Sequence, residues 1–67
     1  MLKLSKNDKK LLKKIKKMGV GDEINLNGFN VLCVETHYYL LIHPNKGIFE
    51  KNLDEIKEWI VFGEEKL

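Results

Sequence analysis

The sequence predicts a small α+β domain in the order α-β-β-β-α, a three-stranded antiparallel meander packed with two helices. Apolar residues recur at helical spacing in two segments, one near each end of the chain, and a helix-capping pattern precedes each segment. Alternating, strand-like segments lie between them. With 67 residues, the chain has room for one domain only, so residues 1–67 are predicted to fold as one unit.

The first predicted helix begins after Ser5, whose side chain can accept a hydrogen bond from the backbone of residue 8. The Asp8 carboxylate can in turn accept a hydrogen bond from the Ser5 backbone N–H, and its negative charge is favourable at the N-terminus of a helix. Gly19 and Gly21 are expected to end the helix. Its apolar side is formed by Leu4, Leu11, Leu12, Ile15 and Met18.

Three strands are predicted at residues 22–26, 29–35 and 38–43. Asn27-Gly28 is a strong signal for a two-residue hairpin, because both turn residues need positive φ. Pro44 to Gly47 is expected to be a loop. Asn52 begins a second capping pattern, and the helix after it is predicted to run to about Phe62.

A two-residue turn at Thr36-His37 would pair Val34 with Tyr39 and would place Leu40 on the inner face of the sheet. The apolar residues left on the outer face would then be Leu32, Val34, Tyr39 and Leu41. If one helix covers each face, these four residues belong to the core. If both helices share one face, the four form an apolar interface for a partner or a second copy.

The charge of the chain is strongly asymmetric, although its net charge is only +2. Residues 1–21 contain eight lysines and one aspartate and carry +7, whereas residues 22–67 contain four lysines and nine acids and carry −5. One side of the first helix is predicted to hold Lys6, Lys9, Lys10, Lys13, Lys14, Lys16 and Lys17.

Eight pairs of these lysines stand three or four positions apart: 6–9, 6–10, 9–13, 10–13, 10–14, 13–16, 13–17 and 14–17. Their mutual repulsion is roughly 2–4 kcal/mol at low salt. Three interpretations are open: a solvated face, compensation by the acidic edge of the second helix, or a contact surface for an anion. The chain has no arginine, which favours electrostatic docking over the reading of base edges.

Catalysis, a metal site and a cofactor are not expected. Cys33, His37 and His43 are too few to complete a tetrahedral zinc site. Ser5, the single serine, is predicted to cap a helix, and Cys33 lies in the middle of a strand. A lone cysteine favours a reducing, cytoplasmic location, and no apolar run is long enough to span a bilayer, so a membrane partner is not expected.

The α-β-β-β-α order resembles the double-stranded-RNA-binding domain, in which helix 1, a long first hairpin loop and lysines at the start of helix 2 contact RNA. Here the first hairpin is short, and Asp54 and Glu55 stand where that family has lysines. Residues 24–60 also resemble small βββα proteins of phages and mobile elements, including anti-CRISPR-type inhibitors. The matching segments are Asn27-Gly28-Phe29, Tyr38-Tyr39-Leu40, Gly47-Ile48-Phe49 and residues 53–60.

Together these patterns predict a non-catalytic binding protein, an inhibitor or modulator of phage or mobile-element type. Its lysine-rich helix would dock on an acidic surface of a host nucleic-acid-processing or defence complex. The first alternative is a sequence-nonspecific DNA- or RNA-binding protein. The second is a homodimeric structural protein whose lysines only confer solubility.

Overall fold

A computed structural model describes residues 3–67. The fold consists of two helices and a four-stranded antiparallel sheet with strand order β1-β2-β3-β4, so the α+β class is confirmed. A short 3₁₀ helix at Gly63–Lys66 ends the chain. The main elements are α1 (Lys6–Lys16), β1 (Glu23–Leu26), β2 (Phe29–Glu35), β3 (Tyr38–His43), β4 (Gly47–Asn52) and α2 (Leu53–Phe62).

Both helices begin at the predicted capping residues. The Ser5 side chain accepts a hydrogen bond from the Asp8 backbone N–H at 3.1 Å, and the Asp8 carboxylate accepts from the Ser5 N–H at 3.4 Å. Asn52 and Glu55 form the same reciprocal pair at the start of α2. Each box satisfies two backbone donors that helix geometry leaves without partners. Local sequence therefore fixes where both helices start.

The prediction of three strands was wrong, because Gly47–Asn52 forms a fourth strand that pairs with β3. Residues 44–46 make a three-residue hairpin loop, and Gly47 takes the positive φ of 99° that hairpins of this length commonly need. The His43 side chain stabilises the loop, since its Nδ1 accepts hydrogen bonds from the backbone N–H groups of Asn45 and Lys46. The order is therefore α-β-β-β-β-α.

The first hairpin has the predicted register, with Leu26 opposite Phe29 and positive φ at both Asn27 and Gly28. The second hairpin does not. Glu35 pairs with Tyr38 as expected, but the next pair joins Cys33 to Tyr39. Val34 is left over between the two pairs as a β-bulge.

This one-residue shift reverses the predicted faces of β3, because side chains alternate along a strand. Tyr39 and Leu41 were predicted on the outer face, but they point into the core and both have 0% of their surface exposed. Leu40, predicted in the core, lies instead on the outer face together with Ile42.

Both helices pack on the same side of the sheet. The Tyr39 hydroxyl donates a buried hydrogen bond of 2.9 Å to the Ile15 carbonyl of α1. The Trp59 ring of α2 meets the Phe29 ring edge-on, with 5.3 Å between their centroids. The core consists of Leu12, Ile15, Phe29, Val31, Cys33, Tyr39, Leu41, Ile56 and Trp59.

The shifted register predicts unequal costs for two neighbouring truncations on β3. We expect Leu41→Ala to lower the free energy of unfolding by about 2–5 kcal/mol, because it leaves a cavity in the core. Leu40→Ala should cost about 1 kcal/mol or less, because its side chain is half-buried on the outer face. Urea denaturation of the two variants measures the difference. A larger decrease in the free energy of unfolding for Leu40→Ala than for Leu41→Ala would contradict the bulge.

Candidate functional site

Seven lysines form one continuous positive surface on α1 and its C-terminal cap. We call this set the lysine row; all its members are exposed, as predicted. The opposite side of α1 is held by Leu12 and Ile15, which are buried against the sheet and α2. The ammonium groups therefore lie on the side of the helix that faces solvent. The lysine row consists of Lys6, Lys9, Lys10, Lys13, Lys14, Lys16 and Lys17.

No carboxylate within residues 3–67 forms an ion pair with a member of the lysine row. Across residues 3–67 the structure contains two ion pairs, Lys46 with Glu64 and Lys66 with Glu58, and neither includes a lysine of the row. Asp8, the acid within α1, is engaged in the capping box. The interpretation in which the acidic edge of α2 compensates these lysines finds no ion pair to support it in the described residues.

Part of the lysine row is concave. Four of its members, spaced over two helical turns, surround a hollow of about 350 Å³. Residues three and four positions apart lie on the same side of a helix, so these side chains project in one direction. An anion in the hollow could approach several ammonium groups at once. The lining residues are Lys6, Lys9, Lys10 and Lys13.

A second concavity lies between the two helices and has a volume of about 300 Å³. We call it the interhelical groove. Lysines contribute four of its lining residues, leucines contribute three, and none of the seven is acidic. Its lining residues are Leu4, Lys9, Leu12, Lys13, Lys16, Leu53 and Lys57.

Lys57 is the member of this groove that the sequence did not identify. It lies in α2 among Asp54, Glu55 and Glu58, so its local sequence is typical of a mixed, solvated helix face. Only the packing of α2 beside α1 brings it opposite Lys9 and Lys13. Helical periodicity places Lys57 one turn after Leu53, at the edge of the apolar side of α2, but it does not indicate which helix lies next to that edge.

The outer face of the sheet carries an apolar patch and is not covered by either helix. Leu32 lies there as predicted. Val34, the bulge residue, is half-buried and is not among the side chains that pack against the core. Tyr39 and Leu41 do not contribute, because they are buried in the core. Ile48 of β4 is 64% exposed. We call this surface the open sheet face, and it consists of Leu32, Val34, Leu40, Ile42 and Ile48.

Acidic residues border the open sheet face. Glu23 pairs with Leu32 and Glu50 pairs with Leu40, so both carboxylates belong to this side of the sheet. Desolvation raises the pKa of the neighbouring Tyr38 hydroxyl, and the negative charge of Glu50 raises it further. The lysine row and the acid-bordered open sheet face therefore lie on opposite sides of the molecule.

Cys33 is unsuited to nucleophilic chemistry. It is 1% exposed, and its thiol lies 3.1 Å from the Glu35 carbonyl. Burial raises the pKa of this thiol, and the charge of Asp22 adds to the effect, so the reactive thiolate is disfavoured at neutral pH. Burial likewise raises the pKa of Tyr39, whose hydroxyl is already bonded to Ile15.

The described part of the chain contains no group of three or more His, Cys, Asp or Glu side chains placed to hold a metal ion. Neither helix within residues 3–67 is long and apolar enough to cross a membrane. No protein-family model matches the chain, and neither a curated protein nor a solved structure shows significant similarity to it.

Crowding within the lysine row predicts that removing one charge will stabilise the fold. Lys13 takes part in four of the eight lysine pairs and Lys14 in two. At low salt we expect Lys13→Gln to raise the free energy of unfolding by about 0.5–1.5 kcal/mol, and Lys14→Gln to give roughly half that gain. Urea denaturation in 20 mM and 500 mM NaCl measures both effects, which should shrink at the higher salt. Destabilisation by Lys13→Gln would show that its charge is satisfied within the molecule.

Proposed function

We propose that this protein is a non-catalytic binding protein that docks its lysine row on an anionic surface of a macromolecular partner. The observation that carries the proposal is a row of seven exposed lysines, none of which forms an ion pair within residues 3–67. Opposite charge on a partner would relieve the repulsion between these lysines and accelerate association.

The chemistry of lysine favours docking on a shaped acidic surface. An ammonium group is a compact point charge on a flexible stem, whereas an arginine guanidinium provides the rigid fork that reads base edges. Every cation in the row is a lysine. The row would thus recognise a density of negative charge, while the shape of the surrounding surface would select the partner.

We further propose that the partner is an acidic component of a host defence or nucleic-acid-processing complex. This part of the proposal draws on the short segments of residues 24–60 that resemble small phage and mobile-element proteins, and not on their three-stranded layout, because four strands precede α2 in this chain. An inhibitor of such a complex needs no catalytic group, because occupying a surface is sufficient. The buried thiol of Cys33 fits that reading, since it leaves the thiol without access to a substrate.

A second candidate is direct, sequence-nonspecific binding to DNA or RNA. The same unpaired lysines favour it, because phosphate contacts need positive charge and carry no sequence information. Such binding would show a log–log dependence on salt with a slope of roughly −3 to −6. An absence of any mobility shift with DNA or RNA at 50 mM salt would remove this candidate.

The main proposal predicts that partner capture depends on the position of the positive charges in the lysine row and not on the net charge of the protein. We expect the tagged wild-type protein to retain a partner from nuclease-treated host lysate. The triple variant Lys10→Gln, Lys13→Gln, Lys14→Gln should lose it, because three contacts with the acidic surface disappear. Quantitative mass spectrometry of the captured proteins measures the difference.

The matched control removes the same charge elsewhere, by Lys46→Gln, Lys51→Gln and Lys66→Gln. These lysines lie outside the lysine row, and the two ion pairs that the control breaks are exposed and contribute little stability. The control should retain the partner. Equal loss in both triple variants would point to nonspecific attraction, and loss of all binding after nuclease would favour the nucleic-acid candidate.

A further inference from the structure

The interhelical groove combines two chemical features that the rest of the lysine row lacks. Leu4 and Leu12 of the first helix region face Leu53 of α2 across the groove, and all three belong to or pack against the core. Lysines stand on both sides of these leucines. The groove therefore offers an apolar floor between cationic walls.

Both walls carry positive charge because Lys57 faces the groove from α2. Lys57 is half-buried, and Glu58, the acid next to it in sequence, pairs with Lys66. On the α1 side the wall is formed by Lys9, Lys13 and Lys16. A ligand in the groove would meet four ammonium groups from two directions, a placement that the solvated outer side of α1 cannot provide.

The chemistry of the groove discriminates between classes of anion. A nucleic-acid backbone supplies negative charge, but its bases are bound mainly by stacking on aromatic or guanidinium planes. None of the seven lining residues is aromatic or an arginine. Apolar side chains flanked by carboxylates would instead match both the leucine floor and the lysine walls.

From this complementarity we infer that the interhelical groove binds an acidic protein segment that carries an apolar anchor. The segment would lay one or two aliphatic side chains on Leu4, Leu12 and Leu53, with its carboxylates directed at Lys9, Lys13, Lys16 and Lys57. This is the helix-in-groove mode of recognition, in which apolar anchors recur at i and i+4. The inference rests on the proposed function and names the chemistry of its partner.

Two fluorescent synthetic peptides test this assignment. Both are glutamate-rich helices of equal length and net charge, one with leucines at i and i+4 and the other with glutamines there. Anisotropy titrations in 150 mM NaCl, extended to millimolar protein, should show at least about tenfold tighter binding of the leucine peptide, because only that peptide buries apolar surface in the groove.

Neighbouring lysines provide the matched variants. Lys13 lines the groove and Lys14 does not, yet both are exposed and belong to the lysine row. We expect Lys13→Gln and Lys57→Gln each to reduce the affinity for the leucine peptide severalfold more than Lys14→Gln does. Leu4→Ser should reduce the preference for the leucine peptide while leaving the affinity of the glutamine peptide nearly unchanged. Circular dichroism confirms that each variant is folded.

The outcomes separate the two proposals. Equal affinities for both peptides, with equal decreases in affinity for Lys13→Gln and Lys14→Gln, would overturn the assignment of the groove as a binding site. The lysine row would then remain a general anion-docking surface. Binding of a DNA duplex with no binding of either peptide would overturn the groove in favour of nucleic acid. If neither the peptides nor the duplex binds, both the groove and the proposed function fail.

Discussion

The hydrogen bond between the Tyr39 hydroxyl and the Ile15 carbonyl joins the middle of the sheet to the last turn of α1. Tyr39 can reach that carbonyl only because the bulge at Val34 turns its side chain inward. The same bulge buries Leu41 and places Leu40 on the outer face. One extra residue in β2 therefore places Tyr39 and Leu41 of β3 on the same side of the sheet as Phe29 and Val31 of β2, and both helices pack on that side.

With α1 fixed in this way, the lysine row is held at a cost to the fold. Its repulsion, roughly 2–4 kcal/mol at low salt, is a substantial part of the total stability expected for a domain of this size. Apart from Asp8, which is engaged in the capping box of α1, the acidic residues lie outside this helix. Glu58 and Glu64 pair with lysines outside the row, and Glu23 and Glu50 border the open sheet face. Such separation of charge disfavours stability, and the proposed role of the row in binding would account for that cost.

Local chemistry allowed much of the fold to be predicted from the sequence. The capping residues Ser5 and Asn52 and the Asn27-Gly28 turn act over a few residues, so their effects can be read directly. The bulge at Val34 could not be read, because Glu35 pairs with Tyr38 as a two-residue turn at Thr36-His37 predicts, and no residue type in β2 marks the extra residue beyond that pair. The fourth strand was missed because Pro44 to Gly47 indicated a loop but gave no sign that the next residues pair with β3. The lysine row was predicted from helical periodicity alone, whereas Lys57 depends on contacts between distant segments.

The identity of the binding surface can be mapped directly by monitoring the backbone amide NMR signals of the ¹⁵N-labelled protein during titration with poly-L-glutamate in 50 mM NaCl. If the unpaired ammonium groups of α1 form the recognition surface, the largest shifts will fall on residues 5–17 and on Lys57, and they will vanish in 500 mM NaCl. Shifts centred on residues 44–51 or on Lys66, or spread evenly over the lysines of the whole chain, would contradict that claim.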